Sequence, residues 1–283
     1  MALRSCLPVA AFVAAIVLLP CAGCSEHAAD RSAPTAAIAS AAAAETQPET
    51  DAGKGSGYTF RIVYPALAPE WRALDAAIRQ FAAAQKKDFV GASTVPNRVA
   101  GTDYSLDLNF SVARRTADFV SVMASGSSFV GGAHGRPIVA SFNLDLASGQ
   151  LVDVDALFAH ASIALEALSA ECRRQLQGRL EARMRDAESG LTSVLRASEF
   201  AAAKQWIDKG TAPRAENFRV FLVDGLDAPA IGLTLIFPPD QVGPYADGVQ
   251  QVEVPAAVFY AMLKAEYRDA FAIDTQTAQR NRP

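Results

Sequence analysis

Residues Phe129 to Phe158 read FVGGAHGRPIVASFNLDLASGQLVDVDALF. The stretch opens on a glycine-rich corner, Gly131-Gly132-Ala133-His134-Gly135, whose bare backbone suits left-handed or closely packed conformations. No Gly-Lys-Ser/Thr follows those glycines and no helix pattern opens there, so the corner is not a phosphate loop. Ile138 to Leu146 and Leu151 to Val154 are strand-like runs separated by Ala147-Ser148-Gly149-Gln150. That spacing, with its glycine, predicts a β-hairpin. Asp155-Ala156-Leu157-Phe158 closes it and sends an apolar end into a core.

Upstream, Tyr104, Leu106, Leu108, Phe110 and Val112 alternate with polar residues, which predicts a strand buried on one face. A turn at Arg114 to Asp118 leads to a second strand, Phe119 to Ala124. Arg114 and Arg115 are read as an anion site or as a solvated turn. Further upstream, Tyr58 to Tyr64 has strand periodicity, and Trp71, Leu74, Ile78 and Phe81 form one face of a helix running to about Lys87. A polar loop covers Gly91 to Thr102.

Downstream, a long helix is predicted over Ser162 to Asp186, burying Leu165, Leu168, Cys172, Leu176, Leu180 and Met184. A shorter one covers Glu199 to Lys209, burying Phe200 and either Trp206 or Ile207. Strands follow at Phe218 to Val223, Ile231 to Phe237 and Val249 to Val254, then a helix from Pro255 to about Tyr267. The order of elements, with no repeating βαβ unit, predicts an α+β fold: a mainly antiparallel sheet packed with a few helices.

The N-terminus carries a different signal. Arg4 precedes an apolar run, Val9 to Leu19, too short to span a bilayer comfortably, which closes at Pro20-Cys21-Ala22-Gly23-Cys24-Ser25. Small residues before a cysteine resemble a lipoprotein signal peptide in which residues 1–23 are removed and Cys24 is acylated. The residue three places before Cys24 is Cys21 where such signals carry leucine, and an ordinary cleaved signal peptide is the alternative. Two or more acyl chains would anchor the protein stably at a membrane surface. Ser25 after the lipid cysteine, by analogy with known lipoproteins, favours the outer membrane and a periplasmic location. Residues 24–57, rich in Ala, Ser, Thr and Pro, read as a flexible tether containing a solvated His27. The division that follows is 58–125 as a small N-terminal α+β part, 126–267 as the main domain, and 268–283 as a polar tail.

The net charge is −4, with no basic field, which excludes nucleic acid as a partner class. Cys172 alone of the four cysteines lies in the body, so no intrachain disulfide is expected. No histidine pair has zinc spacing, and Ser127 and Ser128 lie outside any Gly-x-Ser-x-Gly elbow. No metal or other cofactor is expected. Asp153 and Asp155, two apart on one side of a predicted strand, are the one carboxylate pair that an envelope glycan hydrolase would use; the competing reading is that they cap the turn at Leu157. His134, in its bare glycine setting, is either a contact for a ligand or a ring bonded to backbone that fixes the corner.

Two groups of motifs resemble a known family. The first is Gly131-Gly132-Ala133-His134-Gly135, Ser141-Phe142-Asn143-Leu144-Asp145-Leu146, Ser148-Gly149-Gln150 and Asp155-Ala156-Leu157-Phe158. The second is Phe237-Pro238-Pro239, Val242-Gly243-Pro244-Tyr245-Ala246-Asp247-Gly248 and Val252-Glu253-Val254-Pro255. Together they resemble the C-terminal domain of the anti-sigma factor RsiV, which also accompanies the catalytic domain of PdaC-type peptidoglycan deacetylases. The segment before Ala124 is similar to the small domain preceding it there. The resemblance implies a domain that binds rather than catalyses, with a lysozyme-like protein or peptidoglycan as partner. The sigma-binding and deacetylase parts have no counterpart in the motifs. The expected contacts are Phe129, His134 and Arg136, on a lipid-anchored, non-enzymatic envelope protein. A hydrolase or a structural envelope lipoprotein is the alternative.

Overall fold

The computed structural model describes residues 48–94, 102–186 and 193–273. Cys24 and the signal-like segment lie outside them, as does His27. The first sheet has six strands in sequence order: β1 (Glu49–Gly55), β2 (Tyr58–Tyr64), β3 (Tyr104–Arg115), β4 (Phe119–Phe129), β5 (Arg136–Asp145) and β6 (Gln150–Leu151). All its pairs are antiparallel except β2–β3, which is joined through helix α1 (Arg72–Ser93). The second sheet is an antiparallel meander of β7 (Phe221–Asp224), β8 (Gly232–Phe237) and β9 (Gln250–Pro255). The mixed, mainly antiparallel α+β class read from the sequence is the observed one.

Alternation dictates the layers. On β3 the side chains of Tyr104, Leu106, Leu108 and Phe110 are buried while Asp107, Asn109 and Ser111 are exposed. The buried set meets the stripe of α1 formed by Leu74, Ile78, Ala82 and Phe89. On the opposite face of the first sheet, Ala113, Met123 and Val139 pack against Leu222 and Ile236 of the second and against Val220, the residue before β7. The far face of the second sheet, with Phe221, Leu233, Leu235 and Phe237, packs on helices α2 (Ala161–Asp186) and α3 (Ser193–Gly210). The order of layers is therefore helix, sheet, sheet, helices. Cys172 sits in that last core, and burial, with nearby Glu171, pushes its thiol up to about 12. On α3, Ile207 is buried and Trp206 is exposed.

Four expectations are corrected. The tether was expected to reach residue 57, yet β1 spans Glu49–Gly55 and pairs along β2. It has almost no apolar side chain. Its glycines give room to cross-strand rings, since a Cβ at Gly53 or Gly55 would overlap the ring of Phe60 or Tyr58. Its acids bind α1: Asp51 to Lys86 at 2.8 Å and Glu49 to Arg79 at 2.8 Å, which holds the Glu49 carboxyl below its ordinary range. Second, a domain boundary between 125 and 126 falls inside β4, which runs unbroken from Phe119 to Phe129.

Third, the helix expected from Pro255 is three separate 3-10 turns, at Ala256–Val258, Tyr260–Met262 and Ala265–Tyr267. Tertiary pairing breaks it. Ala159 N–H bonds the Met262 carbonyl and Lys264 N–H bonds the Leu157 carbonyl, which pulls Leu263 into extended backbone. Phe259 and Leu263 then reach the core from turns rather than from one helical face. Fourth, the start of the polar tail is core: Phe271 is buried against Phe119 and Phe259.

Candidate functional site

The second sheet meets the first through a buried polar seam. Edge strand β7 lies over β4 and β5 and presents backbone groups that need partners. Asn143 Nδ2 donates to the Phe221 carbonyl at 3.0 Å, and the Ser121 hydroxyl donates to Asn143 Oδ1 at 2.6 Å. Phe221 N–H donates to Ser141 Oγ at 2.8 Å, and Val223 N–H to Ser121 Oγ at 3.1 Å. Asp145, two residues on, accepts from the backbone of Ala147 at 2.9 Å and from the Ser148 hydroxyl at 2.7 Å, shaping the turn to Gly149, whose φ is 66°. Ser141, Asn143 and Asp145 of the first motif group are thus architectural.

The glycine corner is built differently. It lies at one end of the first sheet, between the last residue of β4 and the first of β5. Gly131 and Gly132 both have φ of 96°, a backbone that favours glycine. The three residues expected as contacts fall into three situations. Phe129 is half-buried, edge-on to Tyr104 with centroids 6.2 Å apart, and so supports the corner rather than lining its surface. Arg136 is exposed opposite Ser128 and forms no ion pair among the described residues. His134 is exposed, and its ring lies on Tyr245, with centroids 4.0 Å apart and planes 22° from parallel.

Tyr245 comes from the second motif group and is the residue that sequence reasoning missed. Its hydroxyl donates to the Gly135 carbonyl at 3.0 Å, and His134 Nδ1 lies 3.2 Å from the same oxygen. The loop presenting Tyr245 is held at both ends. Gln241 Nε2 donates to the carbonyls of Gly210 and Asn217 at 3.0 and 2.8 Å. Arg183 pairs with Asp247 at 3.4 Å, where a Cβ on Gly243 would press against the Asp247 carboxylate. Both motif groups therefore converge on one exposed His–Tyr stack. An aromatic inside a Gly/Pro-rich loop was the signal available for Tyr245.

The other sequence candidates are dispersed. Asp155 belongs to a 3-10 turn, Asp155–Leu157, rather than to a strand, and its carbonyl accepts from Phe158 N–H. Asp153 and Asp155 line a shallow cleft with Glu216 and Arg219. Arg114 pairs with Asp224 at 3.1 Å; Arg115 pairs with Asp227 at 3.6 Å and lies over the Trp71 ring. No group of three or more His, Cys, Asp or Glu side chains suited to a metal ion occurs among the described residues. Within those residues no helix is long and apolar enough to cross a membrane.

Residues 155–257 match the family described as "Protein of unknown function (DUF3298)". That match contains the Tyr245 loop and begins after the His134 corner. The chain is 21% identical over 216 residues to the peptidoglycan-N-acetylmuramic acid deacetylase PdaC of Bacillus subtilis (strain 168), covering 76% of this chain. It spans 41% of that relative's length. Among solved structures, a DUF3298 family protein from Pseudomonas aeruginosa PAO1 superposes with a TM-score of 0.51 at 14% identity, covering 80% of this chain and 96% of that one. A DUF3298 family member from Bacteroides fragilis NCTC 9343 gives 0.47 at 13% identity, over 79% and 96% of the two chains. The resemblance is thereby supported at the level of a DUF3298 domain with a distant PdaC-type relative.

Proposed function

We propose that this chain is a non-enzymatic, lipid-anchored binding protein of the cell envelope that recognises peptidoglycan glycan at the His134–Tyr245 corner. The observation that carries the reading is the stack itself. Two aromatic rings are held together at the surface, at the meeting point of two motif groups. Aromatic faces beside bare glycine backbone suit the apolar face of a sugar ring, and Arg136, without an ion pair among the described residues, suits the carboxylates of cell-wall peptides. A relative named for acting on peptidoglycan-N-acetylmuramic acid supports that ligand class.

The anchor rests on the signal-like segment, where small residues precede Cys24. Acyl chains on Cys24 would hold the protein in the periplasm, with the outer membrane as the favoured site. A lysozyme-like protein is the second reading, favoured by the acidic balance of −4 facing a cationic partner.

The test is co-sedimentation of the protein with purified peptidoglycan, alongside calorimetric titration with lysozyme. Saturable sedimentation, lost in Tyr245→Ala and His134→Ala while both variants melt like the parent, is the expected result. Heat with lysozyme and none with glycan would move the site to the second reading. Hydrolysis or deacetylation of peptidoglycan that stops in Asp153→Asn would sink the non-enzymatic reading altogether.

A further inference from the structure

The outer edge of β5 offers a second recognition surface of a different kind. Leu146 N–H bonds the Asp118 carbonyl on the β4 side, whereas the Asn143 carbonyl accepts from Val152 N–H on the other. Backbone groups alternate sides along an antiparallel strand. Even-numbered residues of β5 therefore bond β4, while Val139 and Ser141 point their N–H and C=O groups, and Pro137 its C=O, to the outer edge. β6 is only two residues long and pairs at Leu144 and Asp145. From Pro137 to Ser141 no described residue continues the ladder. Pro137 fits an edge position, where its missing N–H removes no ladder bond.

This edge is recessed. Beside Ser141–Asn143 a groove of about 410 Å³ runs between Ala77, Phe81 and Ala84 of α1 on one wall and Arg219 and Phe221 on the other. We propose that the edge takes an extended segment of a partner protein, which lies in line with β6 and adds a strand to the sheet. The free donors and acceptors dictate a polypeptide backbone as occupant. The walls exclude a second copy, whose own sheet carries covering layers about 10 Å off its face. They also set the side-chain pattern, since alternate residues of an added strand face opposite walls. One set meets Phe81 and Ala84 and is apolar; the other meets Arg219, which is exposed and makes no ion pair among the described residues, and is acidic.

A fluorescein-labelled synthetic peptide, Thr-Val-Glu-Val-Thr-Val, is the probe, titrated into the full chain and followed by anisotropy. Saturable binding is expected, with N-methylation of alternate peptide nitrogens weakening it about tenfold or more. Ala84→Arg, an exposed helix position, should weaken it equally with melting unchanged. Amide exchange at Val139 and Ser141 should slow only when the peptide is present. Three results would overturn the proposal: no binding up to about 1 mM, binding indifferent to N-methylation, or amides at Val139 and Ser141 already protected in the free chain.

Discussion

Strands β4 and β5, with the corner that joins them, make two polar attachments to later parts of the chain, at the seam and at Tyr245, and the two are made to opposite specifications. At the seam, the side chains of Ser121, Ser141 and Asn143 serve the backbone of β7, and Ser121 and Asn143 are 0% and 3% exposed. At the corner, one phenol reaches one carbonyl, and the stacked rings are open to solvent. A buried hydrogen bond that loses a partner costs its full desolvation penalty; an exposed one is replaced by water. The seam is thus a fixture of the fold, and the corner is free to be a surface. Both lie within the same motifs, so a motif residue's role follows from its burial rather than its membership.

The largest effect should follow Asn143→Leu. Leucine has similar bulk but leaves the Phe221 carbonyl and the Ser121 hydroxyl without their partner inside the protein. A loss of about 3 kcal/mol in urea denaturation is expected. A loss under about 1 kcal/mol would mean that packing of Val220, Leu222 and Ile236 holds β7 without the polar seam, and the comparison would fail.

Asp145→Ala should come next. Its carboxylate organises the β5–β6 turn at the rim of the seam, and its partners, the Ala147 amide and the Ser148 hydroxyl, are only partly buried. About 1.5 kcal/mol is expected from the same denaturation, because solvent reaches part of what the carboxylate leaves behind. A cost equal to that of Asn143→Leu would place the turn inside the cooperative seam.

Much of this division was legible in the chain, and the failures share a cause. The β3 alternation and the α2 stripe from Leu165 to Leu180 announced themselves because burial there is one-sided and periodic. β1 did not, because glycines and acids carry no hydrophobic signal; its strand exists through the rings of Tyr58 and Phe60 and the cations of α1. The turns after Pro255 were invisible for a related reason, since contacts with Leu157 and Ala159 from a hundred residues earlier decide them. His134 stood out as a lone ring among glycines. Tyr245 did not, because what marks it is a neighbour 111 positions away in sequence, and no periodicity encodes that meeting.

The smallest effect on stability is expected at the corner, and it is the sharper half of the comparison. Tyr245→Phe removes the hydroxyl from the Gly135 carbonyl but keeps the ring on His134. Water takes the vacated acceptor, so urea denaturation should register less than about 0.5 kcal/mol. Glycan binding by stacking should then survive Tyr245→Phe and fail in Tyr245→Ala, because the aromatic face, not the phenol, does the recognising. Equal failure of both variants would mean that the hydroxyl's hold on the loop sets the shape of the site. A destabilisation near 2 kcal/mol from Tyr245→Phe would mean that the corner, like the seam, is part of what keeps the fold together.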